Sequence, residues 1–82
     1  MLLPDKHIEF GESLVGLGTY VLGCLKSPAT LDQIWAKFQL SIKRDEYPAA
    51  HSFDNIVLAV DLLFAIGAVE ETAQPGVLRR CD

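Results

Sequence analysis

The sequence predicts a mainly α-helical domain with a small β-hairpin, in the order of a winged-helix-like three-helix domain. Three observations lead to this fold class. The stretches 13–26 and 52–67 carry apolar residues at the three- and four-residue steps of a helix, and 30–40 does so on one face only. Polar and apolar residues then alternate over 69–80 around a Pro-Gly turn, which predicts a hairpin that serves as the wing.

The first part of the chain predicts a strand followed by a helix. Residues 1–10 are expected to form a short N-terminal strand, because Lys6–Phe10 alternates polar and apolar side chains. Ser13 is a suitable cap for the first helix, over 13–26. With 82 residues there is room for one core, so residues 1–82 are predicted to be a single domain.

The first helix contains several glycines, which are unfavourable inside a helix by about 1 kcal/mol each. Gly16, Thr19 and Gly23 recur at helical spacing and predict a smooth face of small residues. The close approach of another helix or strand along this face would compensate for the glycines. The alternative is that they only loosen the helix.

The second helix is predicted over 30–40. Thr30 and Gln33 have the spacing of a capping box at its start. The polar stretch 41–51 contains Pro48, which cannot continue a helix. It is therefore expected to be a loop or a frayed helical extension.

The third helix, 52–67, is apolar on almost every side, with Ser52 as its N-cap and Gly67 as its C-cap. One face is expected to join the core: Phe53, Ile56, Val57, Val60, Leu63 and Phe64. A second apolar set remains, consisting of Leu58, Leu62, Ala65 and Ile66. A domain this small has little material left to cover that set, so we expect it to bind a partner. The alternative is that the hairpin and the N-terminal strand cover it.

Composition excludes several function classes. The net charge of −4 and the pI near 4.9 oppose binding to nucleic acid or to an anionic membrane. No apolar run reaches the roughly 18–20 residues of a membrane span, and the N-terminus does not resemble a signal peptide. Cys24 and Cys81 do not suggest a disulfide framework. These features predict a soluble cytoplasmic protein.

DNA binding is disfavoured although a winged helix invites it. The third helix holds no lysine or arginine, and it carries Asp54 and Asp61. Nucleic-acid contacts remain open only at two basic pairs close to acids, which are Lys43, Arg44, Arg79 and Arg80. We expect such contacts, if they occur, within a larger complex.

No catalytic constellation is recognisable. His7 and His51 lie far apart in the sequence, and no motif for a metal, nucleotide or nucleophile is present. We therefore predict a protein that is not an enzyme and has no cofactor or metal. The predicted partner-binding residues are Gly16, Thr19, Tyr20, Gly23, Leu58, Leu62, Ala65 and Ile66.

Three stretches of the chain are distinctive: MLLPDKHI at the start, SLVGLGTYVL in the first helix and SFDNIVLAVDLLFAIGAVE in the third. Together they resemble a known family, the middle component proteins of bacterial three-component ABC-ATPase systems. The resemblance extends to about Val69. It implies a winged-helix-like adaptor between an SMC-like ABC ATPase and an effector in a system that acts against phage and other mobile DNA. It implies no catalytic residues, and it assigns Gly16, Gly18, Phe53, Asn55 and Asp61 to the fold and the partner surface.

Three functional hypotheses result. The first is a non-enzymatic adaptor that docks on an ATPase–effector assembly, or forms a homodimer, through helices one and three. The second is a small winged-helix DNA-binding transcriptional regulator. The third is a small enzyme or metal protein, which bound zinc in the purified chain would indicate.

Overall fold

A computed structural model describes residues 13–81. The strand predicted over 1–10 lies outside the described residues. The structure contains three helices: α1 (Leu14–Cys24), α2 (Leu31–Lys43) and α3 (Phe53–Ala65). No helix among residues 13–81 is long and apolar enough to cross a bilayer.

Each helix begins at a side-chain cap that the sequence predicts. Ser13 Oγ accepts a hydrogen bond from Gly16 N at 2.9 Å at the start of α1. Thr30 forms a reciprocal capping box with Gln33 at the start of α2. Ser52 is the N-cap of α3 and accepts from the backbone of the first turn. These bonds satisfy N–H groups that have no partner inside the helix.

A three-stranded antiparallel sheet adjoins the helices, in the order β1–β3–β2. The strands are β1 (Ala29–Thr30), β2 (Val69–Glu71) and β3 (Val77–Arg80). The pair β2–β3 is the predicted hairpin, and its register places Glu70 opposite Arg79. The two-residue strand β1 was not predicted, because it is too short to show an alternating pattern. The prediction of a mainly α domain with three helices and a small β-hairpin is confirmed, and the arrangement is compatible with a winged-helix-like domain.

The core is built from all three helices and the sheet. Its largest fully buried side chains are Phe38, Leu17, Ile34, Ile56 and Val21. Leu78 of β3 and Val69 of β2 close the core at the sheet. The hairpin is therefore joined to the helices through side-chain packing as well as through β1.

The second helix is longer than predicted. It runs to Lys43 rather than ending at residue 40, so part of the predicted loop is helical. Two contacts explain the extension: Ile42 packs against the core, and the Ser41 hydroxyl bonds to Tyr20. The Ser41 contact needs the first helix nearby, and the local sequence does not contain that information. The other two helices are slightly shorter than predicted, ending at Cys24 and Ala65.

Two phenylalanines of α3 are less buried than predicted. Phe53 and Phe64 are 36% and 41% exposed, whereas the sequence placed them on the core face. The buried arc of α3 is narrower and includes Ala59, which is fully buried. Phe64 lies beside hairpin residues that cover it only partly, and Phe53 meets the Trp35 ring of α2 edge to face at a centroid distance of 5.5 Å.

Candidate partner-binding surface

The helix α3 is held in place mainly by α1. These two helices form the most extensive helix–helix contact in the described part of the chain. Gly18 of α1 is buried and faces Leu63 of α3. This contact turns the opposite side of α3 away from the core.

That opposite side carries Asp54 and Asp61 and, beside them, an apolar set that we call the outer face: Leu58, Leu62, Ala65 and Ile66. Leu58 is 53% exposed and Ile66 is 66% exposed. Ala65 is exposed and Leu62 is half-buried. The alternative that the N-terminal strand covers this set lies outside the described residues. The role of the outer face in binding a partner stays a prediction.

The predicted residues of α1 do not all lie on one surface. Thr19 and Gly23 are exposed, Tyr20 is half-buried, and Gly16 is buried within the chain. Gly16 is therefore inaccessible to a partner in this conformation, and the smooth face predicted for Gly16, Thr19 and Gly23 is not a single exposed stripe.

Sequence reasoning missed Val15 on α1, which is 64% exposed. The hydroxyl of Thr19 donates to the Val15 carbonyl at 3.0 Å, so these residues share one side of the helix. The four-residue spacing between the two positions was the available signal.

A second feature that the sequence did not reveal is a cleft of about 320 Å³ between α3 and the hairpin. Val57, Phe64 and Leu78 supply apolar walls, and Asp61 and Glu71 supply carboxylates. In a winged-helix arrangement this region lies between the third helix and the wing. Its acidic character opposes entry of a phosphate backbone.

The basic residues predicted for nucleic-acid contact do not form one surface. Arg79 forms an ion pair with Glu70 across the hairpin, which lowers the pKa of the Glu70 carboxyl. Arg80 points the other way, and its Nη1 donates to the Leu22 carbonyl at 3.5 Å. Lys43 and Arg44 line two different clefts on opposite sides of α2.

Residues 13–81 contain no group of three or more side chains that could hold a metal ion. Burial raises the pKa of the Cys24 thiol, which disfavours its nucleophilic form.

A family model decides the identity of the chain. The model describes the ABC-three component (ABC-3C) system Middle Component 6, and it matches residues 3–81. The chain belongs to this family. Neither the curated proteins nor the solved structures yield a match.

Membership makes the protein the middle component of a three-component ABC system, which works with protein partners. In this middle component, Asn55 stabilises the start of α3, since its backbone N–H donates to Ser52 and its Nδ2 donates to His51 Nδ1 at 3.1 Å. Gly18 serves the contact between α1 and α3. Asp61 has a different position: it is exposed and lines the cleft beside the hairpin.

Proposed function

We propose that this middle component is a non-enzymatic adaptor that links an SMC-like ABC ATPase to an effector in a bacterial defence system. It docks through the outer face of α3 and the adjoining exposed side of α1. The observation that carries the proposal is the exposure of Leu58 and Ile66, at 53% and 66%, on a helix whose other side is the core.

The energetic argument follows from apolar area. Removing four side chains of this kind from water contributes on the order of 6–10 kcal/mol before the costs of association. The exposed part of the outer face is smaller than four whole side chains, because Leu62 is already half-buried. Exposed Val15 on α1 adds to the available area. The combined apolar area of the outer face and Val15 is enough to support a lasting complex when a complementary surface covers it.

An adaptor between two proteins needs two separate surfaces. The outer face and the cleft beside the hairpin have no residue in common, since Val57, Asp61 and Phe64 are the residues that α3 contributes to the cleft together with Val60. The separation allows two partners to bind without competing. A homodimer would instead use one surface twice.

Co-expression with the ABC ATPase and the effector of the same three-component system tests the proposal. The tagged middle component is purified, and the co-purifying chains are quantified for wild type and for Leu58→Asp/Ile66→Asp. Because a buried charge is strongly unfavourable, the double variant should lose at least one partner.

The matched control is Ala36→Asp, an exposed helical alanine on α2. It should retain both partners, and circular dichroism should show all three proteins folded. Retention of both partners by the double variant would overturn docking through the outer face. A wild-type chain that captures neither partner would overturn the adaptor role itself.

A further inference from the structure

A cleft of about 440 Å³ lies between the C-terminal end of α1 and the outward side of α2. We call it the basic cleft and define it by Lys26, Lys37, Leu40 and Arg44. Tyr20 and Gly23 complete its α1 side. It is separate from the outer face of α3 and from the cleft beside the hairpin.

Three cations from different parts of the chain meet at this cleft. Lys37 and Arg44 are seven residues apart on or next to α2, with Leu40 between them on the same side, and Lys26 follows α1. The chain has 11 acidic and only 7 basic residues, so a cleft lined by three cations is unusual for it. Glu46 is the one carboxylate among its described lining residues.

The cations are not used in ion pairs among residues 13–81. The Nζ of Lys37 donates to the Cys24 carbonyl at 3.3 Å, at the negative end of the α1 dipole. The side chains of Lys26 and Arg44 have no hydrogen-bond or ion-pair partner among the described residues. Two positive charges therefore remain available to a ligand.

The other titratable groups in the cleft do not cancel this charge near neutral pH. Burial raises the pKa of Tyr20 to about 12, and it also raises the pKa of the Cys24 thiol. Both groups are therefore protonated and uncharged near pH 7. Leu40, which is 44% exposed, provides an apolar contact between the cations.

We infer that the basic cleft binds an acidic segment of a partner protein, with carboxylates at the cations and an apolar side chain on Leu40. Charge complementarity favours this occupant, because carboxylates pair with lysine and arginine. Nucleic acid fits less well, since useful phosphate binding needs more cations than three and this chain is acidic overall. The inference does not depend on the outer face of α3.

The probe is a short acetylated peptide in which glutamate and aspartate alternate with leucine. It is titrated into the ¹⁵N-labelled full chain at low salt, and amide shifts are followed. We expect shifts at Lys26, Lys37, Leu40 and Arg44, and we expect them to weaken as salt is raised. Shifts confined to other regions, or no binding, would overturn the inference.

Variants test the role of the charges. Lys37→Glu/Arg44→Glu should weaken peptide binding by roughly tenfold, because it replaces attraction by repulsion at two positions. Lys43→Glu has the same charge change on another side of α2, and it should bind like wild type. Lys26 lies outside the three described helices, so Lys26→Glu reverses a charge of the cleft without altering α2, and it should also weaken peptide binding.

Two further titrations distinguish an acidic segment from other ligands of the cleft. A peptide with lysine in place of each acid should not bind the cleft. Short duplex DNA should bind more weakly than the acidic peptide at equal salt. Tighter binding of DNA at Lys37 and Arg44 would overturn the inference in favour of a nucleic-acid site.

Discussion

The Tyr20 hydroxyl of α1 lies 2.7 Å from the Ser41 hydroxyl of α2, and this hydrogen bond joins the two helices at the edge of the core. The Tyr20 ring meets Phe38 and Tyr47 edge to face, at centroid distances of 5.6 and 5.1 Å. Edge-to-face contacts of this kind stabilise a domain beyond the area they bury. Tyr20 is thus more a structural residue than the partner contact that the sequence suggested.

The burial of Tyr20 predicts an alkaline loss of stability. Its pKa rises from the usual 10 to about 12, so the folded state keeps the proton to higher pH than the unfolded chain does. The contribution of protonated Tyr20 to the free energy of unfolding is complete below pH 10, and it is lost as the pH increases toward 12. Urea unfolding across this range should show falling stability. The fall should be smaller for Tyr20→Phe, in which Tyr47 is the only tyrosine that remains. Equal slopes for both proteins would contradict the prediction.

Replacing Gly18 by alanine should stabilise the protein by about 0.5–1 kcal/mol, because alanine favours a helix. The new Cβ would lie 3.6 Å from Leu63 Cδ2, which is an ordinary van der Waals distance. Urea unfolding monitored by circular dichroism gives the change. A destabilised Gly18→Ala would indicate that α1 and α3 approach each other more closely than this.

Gly67→Ala should have the opposite effect on stability. Gly67 has a φ of 76°, in the left-handed region that L-residues avoid. Alanine there should destabilise the domain by about 1–2 kcal/mol. Urea unfolding of Gly67→Asn serves as the control, since asparagine tolerates this conformation better. Equal stability of the alanine and asparagine variants would argue against a strained C-terminus of α3.

Thr30→Ala should destabilise the domain by about 1 kcal/mol, because it removes the oxygen that caps α2. Thr30→Ser keeps the hydroxyl and should recover most of the loss. Thermal unfolding of the three proteins measures the difference. If the serine variant is as unstable as the alanine variant, the threonine acts through β1 rather than through the cap.

Duplex DNA should not bind specifically at about 150 mM salt, where few phosphate contacts leave little affinity. The exposed Asp54 and Asp61 of α3 repel phosphate, and Arg79 is already paired with Glu70. A mobility-shift assay with genomic fragments measures this directly. A specific shifted band at that salt would favour the transcriptional regulator instead.

Local patterns in the sequence predicted much of this fold. The caps at Ser13, Thr30 and Ser52 and the turn of the hairpin depend on a few neighbouring residues, so they could be predicted. The strand β1 could not, because its two residues gain their structure only from pairing with Leu78 and Val77. The strand β1 therefore depends on contacts between residues that are distant in the sequence.

The candidate partner-binding surface was also predictable only in part. The apolar excess of α3 indicated exposed residues, and Leu58 and Ile66 are exposed. Phe64 was assigned to the core instead, since periodicity gives the direction of a side chain but not how far the neighbouring hairpin reaches over it. The basic cleft was missed because Lys26 and Arg44 are distant in sequence and meet only after folding.

The central position of β3 has a mechanical consequence. A pull on this strand must break hydrogen bonds to β1 and β2 together, and β1 forms the junction between α1 and α2. A force applied to the hairpin would therefore be transmitted through β1 to the helices, and it would not simply separate the hairpin from them. A partner that binds the hairpin and moves would therefore carry the helices along with it.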